Sequence, residues 1–258
     1  MKMVDCILFM CWRRSCAVDE DLFVLVLNNC RHKEIEWSKI QAISCYLCGM
    51  TSQQMIASRL LQIEAVKLSP EAPYTWASGW KSPIYCDNRK VLSYPTDRDF
   101  IKSEMCSVIF NEFPEAELIA GVATAGIAWG AMVADQLKLP LAYVRPKPKD
   151  HGMGNQIEGS IITGQKVVVV EDLVSTGSSS LKACEAIRNA GGVVVGMVSI
   201  FNYGFQLADA AFEQADIRLI SLTNYPTLSE LALATNKISP EQLELLKSWR
   251  EAPHEWGQ

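Results

Sequence analysis

Four consecutive valines, Val167–Val170, run directly into two acids and then into a string of small hydroxylic residues, in the stretch VVVVEDLVSTGSSS from Val167 to Ser180. Successive side chains of a strand point to opposite faces, so an unbroken β-branched run has no face to offer water. Such a strand belongs inside a parallel sheet covered by helices on both sides. The rest of the chain supplies suitable neighbours. Strand-sized apolar runs at Leu118–Val122, Leu141–Val144, Val193–Ile200 and Ile217–Leu222 alternate with helical patterns at about Gly126–Leu137, Ser178–Ala190 and Phe205–Gln214. Closing helices are expected near Leu228–Ala234 and Pro240–Trp249, and another from about Pro95 to Phe113. The pattern predicts an α/β fold with a central parallel sheet flanked by helices.

Upstream of this core the character changes. YTWASGWKSPIYCDNR, Tyr74–Arg89, mixes aromatics with Gly79 and Pro83 and reads as short strands and turns of a small N-terminal subdomain. Before it, Thr51 or Ser52 can cap a helix whose apolar Met55, Ile56, Leu60, Ile63 and Val66 share one face. Residues 1–49 show neither period. They hold six of the nine cysteines, Cys6, Cys11, Cys16, Cys30, Cys45 and Cys48. The apolar Ile7–Cys11 is too short for a signal peptide, and Arg13 and Arg14 lie on its wrong side. Cys45 and Cys48 form a CxxC without a credible second ligand pair, and are read as incidental thiols. The expectation is an upstream extension over 1–49, with Met50 as the functional start, and one domain over 50–258, divided into a hood of about 50–94 and a core of about 95–258.

Composition narrows the ligand. Lys and Arg number 24 against 29 Asp and Glu, a formal charge of −5. That is not the basic footprint of a nucleic-acid or anionic-membrane binder. No apolar run approaches the roughly 20 residues of a spanning helix, so a cytoplasmic protein acting on a small polar molecule is expected. Cys86, Cys106 and Cys184 are scattered and read as buried small hydrophobes.

The chemistry concentrates where the valine strand ends. Ligands of such sheets bind at the carboxyl ends of the strands. There Glu171 and Asp172 precede Ser175, Thr176, Gly177, Ser178 and Ser179, a small-residue turn entering a helix. Amides and hydroxyls at a helix N-terminus suit a phosphate monoester. Carboxylates beside a phosphate cradle make sense when the ligand is a sugar phosphate, because the acids accept hydrogen bonds from vicinal hydroxyls. The plainer reading is that the acids end a strand and the serines cap a helix, yet the combination is narrower than either part. No GxxxxGK[ST] is present, and no GxGxxG opens a βαβ unit.

This stretch resembles the phosphoribosyl-diphosphate motif of the type I phosphoribosyltransferases. RPKPKDHGMGNQIEG, Arg145–Gly159, resembles the mobile catalytic loop of the orotate enzymes of that family, with Arg145, Lys147, Lys149 and His151 alternating along it. On its own it would read as a solvated charged turn. SGWKSPIYCDNR, Ser78–Arg89, resembles their base-site segment. The likeness runs from Met50 to the C-terminus.

The resemblance implies the type I phosphoribosyltransferase fold and transfer of a phosphoribosyl group to orotate. It implies donor contacts from Arg145, Lys149, His151 and the run Glu171, Asp172, Leu173, Val174, Ser175, Thr176, Gly177, Ser178 and Ser179. Lys149 is expected to stabilise the leaving diphosphate, helped by Arg145 and by His151, which is also a candidate proton donor. Mg²⁺ is expected mainly on substrate oxygens, with no direct protein ligand. A homodimer sharing the loop across its interface is implied. Ser175 matches a contact to orotate; Arg89 and Lys81 are the candidates for its carboxylate. Ala77, Thr124, Ala125, Tyr203 and Pro146 stand where some family members carry Lys, Tyr-Lys, Arg and Lys, so those contacts are not carried over, although Lys147 can stand in for the loop lysine. The backbone of Gly121–Gly126 is expected to face the diphosphate. The rivals are a purine or uracil phosphoribosyltransferase and a non-catalytic regulator that senses phosphoribosyl diphosphate.

Overall fold

The computed structural model describes residues 49–76, 79–147 and 156–256. Met1–Thr51 and Ser52–Gln258 separate as two units, and of the first only residues 49–51 are described, so the readings of Cys45, Cys48 and the upstream extension fall outside the described residues.

The opening helix α1 (Ser52–Gln62) buries Ile56, Ala57, Leu60 and Leu61 on one face. It is shorter than its apolar spacing predicts. Glu64 adopts a left-handed φ of 54°, and Val66 starts a strand instead of prolonging the helical stripe. β1 (Val66–Leu68), β2 (Tyr74–Thr75), β3 (Lys81–Ser82) and β4 (Ile84–Cys86) form two small antiparallel pairs, β1 with β4 and β2 with β3. A 3₁₀ turn over Asn88–Ser93 leads into α2 (Pro95–Glu112), where Pro95 occupies the first turn that has no amide partner to lose.

The core then alternates as expected: β5 (Leu118–Val122), α3 (Ala125–Leu137), β6 (Leu141–Val144), β7 (Ile157–Glu158), β8 (Lys166–Val174), α4 (Ser178–Asn189), β9 (Val193–Asn202), α5 (Gln206–Gln214), β10 (Leu219–Asn224), α6 (Tyr225–Ala234) and α7 (Pro240–Glu251). The sheet order is β10-β9-β8-β5-β6-β7, parallel throughout except for the edge strand β7, which runs antiparallel to β6. The valine strand lies inside the sheet between β9 and β5. Val167, Val168, Val169 and Val170 are each fully buried, worth about 1.5–3 kcal/mol apiece. Val167 and Val169 join Leu118, Ala120, Ala183, Cys184, Ile187 and Phe212 in one cluster beneath α4 and α5. α3 packs on β5 and β8, and α2 on β9.

Close glycine contacts seat α3. A Cβ on Gly126 would stand 2.5 Å from the Val170 carbonyl oxygen, and one on Gly121 would stand 2.6 Å from the Gly126 carbonyl oxygen. Backbone therefore meets backbone where the helix begins, at the carboxyl ends of β5 and β8. The acid-bearing strand is longer than the valine run: pairing with β9 continues through Glu171, Leu173 and Val174. Both acids thus lie within the paired part of the strand, near its carboxyl end.

Candidate active site

The site grows from the last residues of β8. Glu171 is 6% exposed, and its carboxyl turns inward. Its Oε1 accepts from the Asp172 amide at 3.0 Å and its Oε2 from the Ser180 hydroxyl at 3.3 Å. It thereby closes a ring from strand end to helix start. Asp172, next to it, is half-buried. Burial pushes the Glu171 carboxyl well above its usual range, and the adjacent Asp172 charge pushes it further. Asp172 is raised by burial too, but the hydrogen bond with Glu171 and the Arg89 guanidinium pull it back. Both carboxyls are thus raised by burial, and the two titrate as a coupled pair. Of the two acids predicted to hold a diol, Asp172 is the more exposed, and Glu171 also braces the loop through Ser180.

Ser175, Thr176 and Gly177 form the turn. Gly177 takes a φ of 78°, and a Cβ there would stand 2.7 Å from Phe212 Cε2. Glycine is required by both dihedral and space. As N-cap of α4 it supplies no side-chain bond, and the first turn of α4 contains no acid. The amides that open α4 and its helix dipole remain available for an anion, with the hydroxyls of Ser175, Thr176, Ser178 and Ser179 close by in sequence. Thr176 and Ser178 also line a groove of about 750 Å³, together with Leu181, Leu207 and Ala211.

β5 runs beside β8 as far as Val170, and past its end the Ala123–Thr124 peptide is cis. The Ala123 amide donates to the Val144 carbonyl at 2.9 Å, tying the β5–α3 turn to the end of β6, where Arg145 follows. The Arg145 amide donates to the Gln156 carbonyl at 2.8 Å, and Gln156 Nε2 donates back to the Arg145 carbonyl at 2.9 Å. These bonds clamp the two ends of the segment that carries Lys149 and His151; both of those residues lie outside the described residues. Arg145 Nη1 is buried and makes no hydrogen bond, standing 3.7 Å from Glu158 Oε1. An incompletely satisfied guanidinium at the sheet's carboxyl edge is suited to take up an anion.

The predicted base-site segment divides. Arg89 is largely exposed, donates from Nε to Asp87 Oδ1 at 2.6 Å, and exerts its charge on Asp172. Lys81 is exposed on β3, where Nζ donates to Thr75 Oγ1 at 2.8 Å. Its carbonyl accepts from Trp249 Nε1 of α7 at 3.0 Å. Arg89 therefore belongs with the acids and Lys81 with the β2–β3 hairpin. Behind them stands an aromatic cluster. Tyr203, just beyond β9, is 2% exposed; its ring lies 5.1 Å from Trp76, 5.5 Å from Phe205 and 5.8 Å from Trp249. Its amide donates to the Val174 carbonyl, next to Ser175.

Asn88 and Ser180 are absent from the sequence-predicted set. Asn88 is fully buried and donates from Nδ2 to the Asp172 carbonyl at 2.7 Å. A polar residue in the unpatterned CDNR segment offered little signal for a contact 84 positions away. Ser180 lay at the end of the quoted motif, and the acid nine residues earlier was its available partner.

A parallel sheet with an acid pair, a glycine-hinged anion turn and a basic segment at its carboxyl edge defines a protein that handles a phosphorylated sugar. Residues 104–220 match the model of the phosphoribosyl transferase domain. The chain is 55% identical over 207 residues to an orotate phosphoribosyltransferase of Porphyromonas gingivalis, covering 80% of this chain and 99% of that protein. It is 54% identical to that of Cytophaga hutchinsonii over a similar span, 80% and 99% of the two chains. The solved orotate phosphoribosyltransferase of Aeropyrum pernix superposes with a TM-score of 0.63 at 30% identity, covering 71% of this chain and 99% of that one. The chain belongs to the orotate phosphoribosyltransferases of the type I phosphoribosyltransferase family.

Proposed function

We propose that the chain transfers the 5-phosphoribosyl group of phosphoribosyl diphosphate to orotate, giving orotidine 5′-phosphate and diphosphate in pyrimidine nucleotide synthesis. The observation that carries the reading is the continuity of the site: one strand carries an acid pair near its end at Val174, and three residues past that end the chain turns through Gly177 into an uncapped helix start. The 5-phosphate belongs in the Ser175–Ser179 turn and the ribose diol on Asp172.

In the reaction the orotate ring nitrogen bonds to the anomeric carbon as the bond from that carbon to the diphosphate oxygen breaks. Negative charge grows on the departing group, and Lys149 with Arg145 and His151 is the set of cations assigned to it. His151 is the candidate proton donor among them. Closure of the loop over the site excludes water that would otherwise hydrolyse the donor. Ser175 and Arg89 are assigned to orotate, Arg89 for its carboxylate; Lys81, anchored on the hairpin, is the second candidate.

The donor set suits Mg²⁺ held chiefly by substrate. Among the described residues no three His, Cys, Asp or Glu side chains gather into a metal cage, and magnesium commonly keeps waters and binds through one or two carboxylates plus phosphates. Asp172 is the residue that would hold it, through water, and the ion would offset charge on the diphosphate. A homodimer sharing the Arg145–Gly159 loop, a cytoplasmic location and a catalytic domain beginning at about residue 50 complete the proposal. Among the described residues no helix is long and apolar enough to cross a membrane. The relatives are matched over nearly their whole length by 80% of this chain, which supports that domain limit.

The test is an ultraviolet assay of base consumption with phosphoribosyl diphosphate and Mg²⁺, run in parallel with orotate, uracil, adenine and hypoxanthine. Turnover of orotate alone is expected. Turnover of a purine or uracil in its place, or of none of the four, would refute the reading.

A further inference from the structure

We infer that Asn88 is a positioning residue, which holds the end of β8 so that the Asp172 carboxylate faces the ribose. This rests on the ribose-phosphate reading of the Glu171–Ser179 segment. Pairing of β5 with β8 ends at Val170, while pairing of β9 with β8 continues to Val174. The acid-bearing end of β8 is thus supported by a strand on one side only. Asn88 reaches this end from the 3₁₀ turn after β4 and donates from Nδ2 to the Asp172 carbonyl at 2.7 Å.

The Asn88 amide has one usable orientation. A carbonyl can only accept, so Nδ2 must face Asp172, and Oδ1 is left to take the Cys86 thiol, which donates at 3.4 Å. Asn88 is fully buried, so neither bond is exchangeable with water at low cost. Its neighbours are fixed with it. Asp87 Oδ1 accepts from the Arg89 amide and from Arg89 Nε, at 3.2 and 2.6 Å, which carries the guanidinium to the side of Asp172. The segment Cys86–Arg89 therefore acts as a strap from the base-site subdomain to the diol acid, with Asn88 as its fastening. Asn88 touches no reacting atom; it acts through the backbone of Asp172.

A fastening of this kind makes a prediction that general destabilisation does not. The phosphate turn is held by Gly177 and by the Glu171–Ser180 bond, not by Asn88. Loss of Asn88 must therefore weaken recognition of the diol and spare recognition of the phosphate. Calorimetric titration of the full chain with ribose 5-phosphate and with 2-deoxyribose 5-phosphate separates the two. Wild type is expected to prefer the ribose compound. In Asn88→Ala and in the near-isosteric Asn88→Asp, whose carboxylate confronts the Asp172 carbonyl, that preference is expected to shrink at least fivefold, with affinity for the deoxy compound within twofold of wild type. Should Asn88→Ala fail to fold, Asn88→Ser, which keeps a donor, takes its place and is expected to show a partial loss. Equal weakening toward both sugars, or an unchanged preference, would overturn the inference while leaving the site itself standing. Wild-type protein that binds neither sugar, or does not discriminate between them, would overturn the ribose-phosphate reading and this inference with it.

Discussion

Gly177→Ala perturbs the site at the point where the fold leaves least freedom. The residue has a φ of 78°, and a left-handed conformation costs a non-glycine residue about 1–2 kcal/mol. The new methyl would stand 2.7 Å from Phe212 Cε2 and 3.3 Å from Cδ2. Phe212 is 3% exposed in the cluster beneath α5, so it can retreat only by disturbing that core. Overpacking of this kind costs about 1–3 kcal/mol. Together the two effects predict a loss of about 2–5 kcal/mol. For a domain of this size about 3 kcal/mol corresponds to a fall in Tm of about 6–12 °C. Thermal unfolding measures it, and calorimetry with phosphoribosyl diphosphate follows the function, since a displaced turn misdirects the amides that face the phosphate. In a Phe212→Leu background, the same Gly177→Ala change should retain mainly the dihedral cost of about 1–2 kcal/mol. A Gly177→Ala protein that melts with wild type and binds the donor as tightly would refute the argument.

Three further outcomes are expected. Lys149→Ala loses about 2.7–4 kcal/mol of transition-state stabilisation, a fall of roughly 10²–10³ in kcat, with unchanged melting; near-normal turnover in steady-state kinetics removes Lys149 from its role. Glu171→Gln separates stability from binding. A buried carboxyl whose folded pKa lies above its ordinary 4.5 contributes stability that is complete below that value and lost as pH climbs through the folded one. The wild-type melting temperature should therefore fall with rising pH more steeply than that of Glu171→Gln, and parallel curves would contradict the raised Glu171 carboxyl. Arg89→Ala should raise KM for orotate by about 10–100-fold, the value of one hydrogen bond to a charged group at about 1.5–3 kcal/mol. Lys81→Ala should change it little, and the reverse ranking would move the carboxylate contact to the hairpin.

The sheet could be read from the chain because its signal is local. The run Val167–Val170 needs no partner to declare itself buried, and the bounds of β5 and β6 fall where the apolar runs do. The turn through Gly177 was legible for a similar reason, since a glycine among small hydroxylic residues marks a helix start. Features set by distant contacts were not. The antiparallel edge strand β7 has two residues, too few for any period, and exists by pairing with Tyr143 and Val144. The unequal roles of Glu171 and Asp172 depend on Ser180 and on Arg89. Adjacent acids look alike in sequence and differ only through the contacts the fold gives each of them. Asn88 lies furthest from legibility, because its meaning resides wholly in a carbonyl 84 residues on.

The central claim is an arrangement of one ligand on one strand end, and a crystal structure with phosphoribosyl diphosphate bound examines it directly. The account predicts the 5-phosphate against the amides and hydroxyls of Ser175–Ser179 and the ribose hydroxyls on the Asp172 carboxylate. A donor whose phosphate sits away from that turn, or whose hydroxyls point from Asp172 toward solvent, would contradict it.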